Sequence, residues 1–553
     1  MKKIFLYIFV IPGIIAVLVS FGLSLGGPGG LDFPDAVPTS VVTLKNGEVY
    51  TLTASYVMKD INGIKQPMLA YNGSVPGPTF RVKQGESVTI RFVNKSGMET
   101  LLHSHGIRAE NAYDGSHLVQ TPMKDGETFD YKLTFPDTGA FIYHPHVRED
   151  LQQDMGLYGS FVVEASDPTY WPPVNREEVL TLDDVLIEDG ALAPHSPNYA
   201  THALMGRYGN TMMINGETAL TLSATNGEVV RYYVTNVANT RTFALTLPGG
   251  KMKLVGGDNG RYEKEEFVER IILSPSERAI VDVIWDLPKS YIFTHDPGEG
   301  EKTYPLATVN VQQGVASTSF AGAFQTLRKG DAHAQSLDAY RSFLSAEPTK
   351  FLTMTVKVDM DKIMGQMMGG TPAAPASMDG HDHGAMDMTG HDMSGSSSTG
   401  MAMMHNHAAV PIEWEDQMGA MNVFSTDKTT TWVLQDTTGI DMTTTTPTLT
   451  PKENMDVNWI FQKGDLVKVR IFNDPKSAHP MQHPFHVHGQ KFLVLARDGK
   501  TNDNLVWKDS TLIKMGETVD VLIPMDNLGK WMAHCHIAEH LTSGMMIGFE
   551  VRE

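Results

Sequence analysis

The stretch "GETFDYKLTFPDTGAFIYHPH" (Gly126–His146) recurs near the C-terminus as "GETVDVLIPMDNLGKWMAHCH" (Gly516–His536), aligned without a gap. A second block repeats upstream of each copy: "GESVTIRFVN" (Gly85–Asn94) matches "GDLVKVRIFN" (Gly464–Asn473). The same block occurs a third time as "GEVVRYYVTN" (Gly227–Asn236), followed by "SERAIVDVIWDLPKSYIFTH" (Ser276–His295), a middle copy that diverges at its end. Short runs rich in Val, Ile, Thr and Phe, broken by Gly, Pro, Asn and Asp, make up these blocks and most of the chain. That pattern is an all-β sandwich pattern. Fixed internal repetition then divides the chain into three related units, at 40–165, 170–320 and 345–553.

A length of 553 residues accommodates three units of about 150 residues each. The formal charge of −20 argues against nucleic-acid binding, which needs a positive surface. A single cysteine excludes an intramolecular disulfide framework. The first 27 residues, "MKKIFLYIFVIPGIIAVLVSFGLSLGG", place two lysines before an apolar run. They read as a signal peptide or an N-terminal membrane anchor, and so predict an exported protein, periplasmic or otherwise extracytoplasmic. No twin arginine precedes the run and no cysteine follows it, which disfavours the twin-arginine route and a lipoprotein anchor.

The repeat also aligns histidines. "HSHG" (His103–Gly106) corresponds to "HVHG" (His486–Gly489), and "HPH" (His144–His146) to "HCH" (His534–His536). The middle unit has no such pair. Residues two apart on a strand share a face, roughly 6.6 Å apart, so each His-x-His aims two imidazoles the same way at different metals. Packed with pseudo-twofold symmetry, the outer units bring eight imidazoles into one pocket that can hold three ions. Imidazole alone leaves copper, zinc, iron and nickel open.

Cys535 narrows the choice. Its parity places it on the opposite strand face from His534 and His536, and His483 is offset in the same way from His486 and His488. His483, Cys535 and His540, with Met545 as a weak axial ligand, form the ligand set of a blue-copper electron-transfer site. From there an electron has one peptide neighbour to cross to reach His534 or His536.

The four motifs "HSHG", "HPH", "HPFHVHG" and "HCHIAEHLTSGMM" resemble those of the multicopper oxidases, over essentially the whole chain beyond the leader. The resemblance implies three consecutive cupredoxin-like Greek-key β-sandwich domains and four copper ions. It implies a one-electron oxidation at a type 1 copper coupled to four-electron reduction of O2 to water. By motif position, His483, Cys535, His540 and Met545 would hold the type 1 copper. His103 and His486 would hold type 2, and His105, His144, His146, His488, His534 and His536 the type 3 pair. Asp114, in "NAYDG", occupies the place of an acid that relays protons to the trinuclear centre. Several bacterial relatives carry glutamate directly after the type 1 histidine; here that position is Leu541.

Residues 360–407 form a low-complexity insert loaded with Met and His, donors that suit Cu(I) and Cu(II). Bacterial cuprous oxidases carry a similar insert, and Met481 matches a position they use to bind substrate Cu(I). The acidic position beyond it is His479 here. The leading expectation is therefore Cu(I) oxidation in copper tolerance. The alternatives are a laccase acting on phenols or aromatic amines, and a copper-sequestering protein without catalysis. A two-domain copper nitrite reductase would not need two His-x-His pairs in each outer unit. Glu413, Asp416, Met418 and Met421 read as a solvated face beside core methionines. His117, His195, His202, His295 and His333 read as surface residues.

Overall fold

In the strand Ser87–Lys95, Val88, Ile90, Phe92 and Asn94 are buried while the residues between them are partly or fully exposed. This period of two is what a strand with one face on a core requires. Fully burying each such apolar side chain contributes roughly 1.5–3 kcal/mol relative to exposure, so a charge at Phe92 would break the sheet's contact with its core. Ser87–Lys95 pairs antiparallel with Thr128–Thr134, and the repeat of this pair, Leu466–Asn473 with Thr518–Pro524, is antiparallel too.

The computed structural model describes residues 33–298, 300–314, 316–369, 412, 419–440 and 450–553. The leader, most of the Met/His-rich insert, Glu413, Asp416 and Met418 lie outside the described residues, as does the side chain of Met421. Among the described residues no helix is long and apolar enough to cross a membrane.

The architecture is all-β. N-terminally, a four-stranded sheet (Ile64–Tyr71, Val49–Ile61, Ser87–Lys95, Thr128–Thr134) faces a five-stranded one. The latter runs in the order Val41–Thr43, Thr79–Lys83, Gly159–Glu164, Gly139–Pro145, Leu102–His105. Leu52, Phe80, Phe92, Tyr131 and Phe161 fill the space between. A six-stranded and a five-stranded sheet follow, closed over Leu182, Val234, Trp285 and Phe293. C-terminally, an eight-stranded sheet packs on a five-stranded one ordered Asn458–Gln462, Met546–Arg552, Gly529–Cys535, His483–Val487, Ser510–Ile513. Val469, Phe492, Trp531 and Ile547 lie in this last core, together with Met481, Cys535 and Met545.

The outer sandwiches meet directly. Asn111 Nδ2 donates to the Lys530 carbonyl at 2.7 Å, and Asn527 Nδ2 donates to that of Ala109 at 2.7 Å. The middle sandwich is tied to the first through Arg278 Nε, which donates to the Ala140 carbonyl at 2.8 Å, and through Gln153 Nε2, which donates to Val237 O at 2.9 Å.

Candidate metal centre

Strand register sets the histidines. In the first sandwich His103 lies opposite His144, and in the last His486 lies opposite His534. Apart from Gly529 and Lys530 the strands of each pair are buried, so their imidazoles point into the interior rather than into water. The two sets interleave with crossed partners. His103 stacks on His488 at 4.0 Å, and His105 stacks on His486 at 3.6 Å. His144 meets His536 at 5.1 Å, and His146 meets His534 at 5.4 Å. In these four contacts the first histidine of one motif meets the second of its counterpart, which is the signature of a pseudo-twofold axis through the pocket.

Each ring is oriented from its outer side. The Nδ1–H groups of His103 and His486 donate to the carbonyls of Asp114 (2.7 Å) and Asp509 (2.8 Å). Those of His144 and His534 donate to Pro145 and Cys535, both at 2.8 Å. A carbonyl only accepts, so these bonds fix the tautomer and leave Nε2 as a bare lone pair, the arrangement that presents imidazole to a metal. The Nε2 atoms of His103, His146, His486 and His536 are buried with no hydrogen-bond partner among the described residues. His488 and His534 face each other Nε2 to Nε2 at 3.0 Å. His105 is reversed: its Nε2–H donates to Asp509 at 3.0 Å and its Nδ1 faces His144 Nε2 at 3.5 Å.

Unpartnered lone pairs at this density are costly unless something accepts them. Three all-histidine triads have donor atoms all within 4.8 Å of one another: His103/His105/His144, His103/His486/His488 and His146/His488/His534. Burial lowers the pKa of seven of the eight histidines, that of His536 to about 3, so they stay neutral and able to ligate. His146 is the exception. Burial lowers its pKa, but the Glu149 carboxylate 2.9 Å from its Nδ1 more than offsets this.

Two carboxylates are exchanged across the axis. Asp114 accepts from His103 through its carbonyl and from His488 Nδ1 through its carboxylate, at 3.1 Å. Asp509 does the same for His486 and His105. Asp509 is further held by Arg278, with Nη1 to Oδ1 at 2.6 Å and Nη2 to Oδ2 at 2.5 Å, and by Asn259 Nδ2 at 2.8 Å. Burial raises the Asp509 pKa, and the Arg278 guanidinium more than reverses that, holding it at about 2. Asp509, Arg278, Asn259 and Glu149 were not visible in the sequence. Asp114 stands 11 residues after His103 and Asp509 stands 23 after His486, so no fixed spacing marks the second acid.

On the opposite face of the strand Gly529–Cys535 lies a second donor set. Cys535 Sγ is 3.6 Å from His483 Nδ1 and 3.7 Å from His540 Nδ1, and the two nitrogens are 3.2 Å apart. A point equidistant from the three atoms lies about 2.0 Å from each, close to metal–imidazole and metal–thiolate bond lengths. Met545 is fully buried beside them, its carbonyl accepting from Cys535 N at 3.1 Å. Burial pushes the Cys535 thiol pKa up and lowers that of His483 to about 3. The thiol therefore stays protonated until a metal replaces its proton. Trp432 stacks on His540 at 4.0 Å and meets His483 edge-on at 4.7 Å.

Met481 is wholly buried in the same core, and half-buried His479 carries an unpartnered buried Nε2. Between Met481 and His483, Gln482 Nε2 donates to the Ile412 carbonyl at 2.9 Å, which brings the chain five residues beyond the insert to this site. Leu541 is buried, and the acid nearest it in the chain is Glu539, whose pKa burial and then Asp150 raise to about 8. Not all remaining histidines are surface residues. His295 ends a strand with no exposure and its Nδ1 accepts from Ala244 N, while His195 is nearly buried against Asp154 at 2.7 Å. Both were misread because their segments look like loops in sequence but are covered by neighbouring chain.

Sandwich sheets that carry a thiolate–imidazole site on one strand face and an eight-imidazole pocket on the other define a redox metalloprotein of the cupredoxin-like class. Two family profiles described as multicopper oxidase match residues 53–168 and 415–553. The chain is 24% identical to multicopper oxidase mco of Staphylococcus epidermidis, over 86% of this chain and 82% of the relative. It is 23% identical to copper resistance protein A of Escherichia coli (96% and 98%) and to laccase-1 of Trametes villosa (94% and 92%). Among solved structures, the Campylobacter jejuni multicopper oxidase, titled a metallo-oxidase, superposes with a TM-score of 0.63 at 24% identity, covering 95% of this chain and 98% of that one. The two profiles and these relatives support the multicopper oxidase family for this chain. It is a copper-dependent oxidoreductase that uses O2 and a reducing substrate.

Proposed function

We propose that this oxidase takes its electrons from Cu(I), at His483, Cys535, His540 and Met545, and passes them to O2 at the eight-histidine pocket. His103 and His486 then hold the type 2 ion, and His105, His144, His146, His488, His534 and His536 hold the type 3 pair. Copper supplies one-electron exchange at the first site and four-electron reduction of O2 at the second. The chain's own part is to hold seven of the eight imidazoles neutral, exclude water and carry protons. Cys535 joins the sites, since its carbonyl accepts from His534 Nδ1 and the next residue is His536. Asp114, on His488 Nδ1, is the acid that brings protons to the pocket. The units proposed at 40–165, 170–320 and 345–553 divide the work, with ligands only in the first and third. Residues 1–27 direct the protein out of the cytoplasm, cleaved or kept as an anchor.

One observation supports the substrate: the chain just after the Met/His-rich insert is held beside His483, through the bond from Gln482 to Ile412. The helix Met360–Gly369 packs on the helix Gly419–Phe424, and Ile412 is bonded to Gln482 between Met481 and His483. Thioether and imidazole donors suit Cu(I), and His479 Nε2 offers one more. The copper resistance relative supports the same reading; the laccase relatives support the second, phenol oxidation. Steady-state oxidation of Cu(I), Fe(II) and a phenol by the copper-loaded protein, with and without residues 370–407, separates them. The expected result is a sharp fall in Cu(I) oxidation on deletion with phenol oxidation kept or raised. Equal loss of both activities rejects the assignment.

A further inference from the structure

We propose that Trp432 and the 200–206 segment of the middle unit form a cap over His540 that excludes bulky aromatic reductants from the electron-entry site. The inference rests on the assignment of His483, Cys535 and His540 as that site.

The indole lies nearly parallel to the His540 ring (27°) at 4.0 Å, and its edge meets the His483 ring at 4.7 Å. One side chain thus covers both histidines, and neither they nor Trp432 have more than 1% of their surface exposed. An aromatic reductant would have to occupy that stacking space to exchange an electron with His540. A single ion needs no such slot.

The cap is fastened from the unit that supplies no ligands. Trp432 Nε1 donates to the Ala203 carbonyl at 2.7 Å. The backbone around it is laced to the segment before Trp432. His202 N donates to Asn422 O and Ala203 N to Ser425 O, each at 3.1 Å, and Leu204 N donates to Ser425 Oγ at 3.1 Å. Leu204 itself belongs to the core that contains Cys535 and Met545. The segment ends at Gly206, with φ +79° and no room for a Cβ between Thr240 and Ile537, the residue after His536. A core tryptophan needs only apolar neighbours. This one has a face on one metal-ligating ring, an edge contact with the other and its N–H tied to a different unit, so it decides what reaches them.

The test uses copper-loaded protein carrying Trp432→Ala, and Trp432→Phe, which keeps a ring but loses the tether. A nitrophenol that resists oxidation should bind the alanine variant measurably by calorimetry and the wild type not at all. Phenol kcat/KM should rise by about tenfold or more in Trp432→Ala and by a few fold in Trp432→Phe, through KM, with Cu(I) oxidation changed less than about threefold. Retained blue absorption certifies the site. Unchanged phenol turnover and no nitrophenol binding in either variant, with the absorption retained, overturn the cap while leaving the cuprous reading intact. A wild-type enzyme that oxidises phenol as well as Cu(I) overturns both.

Discussion

Replacing Arg278 with methionine removes a guanidinium that has no exposed surface and keeps most of its volume. The arginine makes two bonds to the Asp509 carboxylate, one to the Ala140 carbonyl and one to the Ser276 carbonyl at 2.9 Å. Without it, the Asp509 carboxylate, itself unexposed, faces Asp258 with only Asn259, Ser510 and His105 as donors. Breaking one side of a buried ion pair costs about 3–5 kcal/mol, because the remaining charge is left uncompensated. At 2–4 °C per kcal/mol for a unit of this size, the melting temperature should fall by roughly 10 °C.

The assay is thermal unfolding of the copper-loaded protein at one scan rate, because irreversible melts depend on rate. Asp509→Asn in the Arg278→Met background removes the stranded charge, so the double variant should regain at least about half of the loss. The pH dependence has a definite sign. Arg278 holds the Asp509 pKa at about 2, below its unfolded value of 3.8. That contribution is complete above about pH 4 and lost towards pH 2, so the deficit should shrink as pH falls through that range. A melting point within about 2 °C of wild type, or strictly additive single variants, refutes the reasoning.

Cys535→Ser should abolish the blue thiolate–copper absorption while the eight-histidine pocket still binds copper, measured by metal content and electron paramagnetic resonance. Colour surviving the change would show that the thiolate is not a ligand. Because burial keeps the Cys535 thiol protonated, copper loading should release a proton that Cys535→Ser does not release, read by pH-indicator titration. Glu539 has its pKa raised from 4.5 to about 8, so it favours folding below pH 4.5 and that advantage is lost as pH rises to about 8. Glu539→Gln should therefore gain stability over wild type from pH 5 to 8, by an amount on the order of a few kcal/mol, in denaturant titrations. An unchanged difference across that range rejects a buried neutral Glu539.

The period-two rule made much of this molecule legible. His486 and His534 share one strand face and Cys535 shares the other with His483, which follows from counting residues, and the ungapped repeat supplied the second half of the pocket. Packing across sandwiches could not be counted. Arg278 and Asp509 are 231 residues apart and meet only because the middle sandwich docks on both others. Trp432 lies in the strand Thr430–Asp436, and nothing near it in sequence announces His540. His295 shows the same limit from the other side, since burial against Ala244 made a loop-like histidine a structural one.

The middle unit is the copy that diverged, and its divergence has a physical use. A pseudo-twofold pocket needs only two ligand-bearing halves, so a third unit is free to lose its histidines. What it kept or gained lies at both sites. Arg278 and Asn259 fix the carboxylate that orients His105, and the 200–206 segment ties down the indole on His540. Buried imidazoles with unpartnered nitrogens are costly until something accepts them, so the groups around them must hold them in place. A third sandwich that clamps Asp509 and covers His540 helps to hold the donors of both sites in position. The outer units therefore supply the donors, and the unit without donors supplies the constraint under which they work.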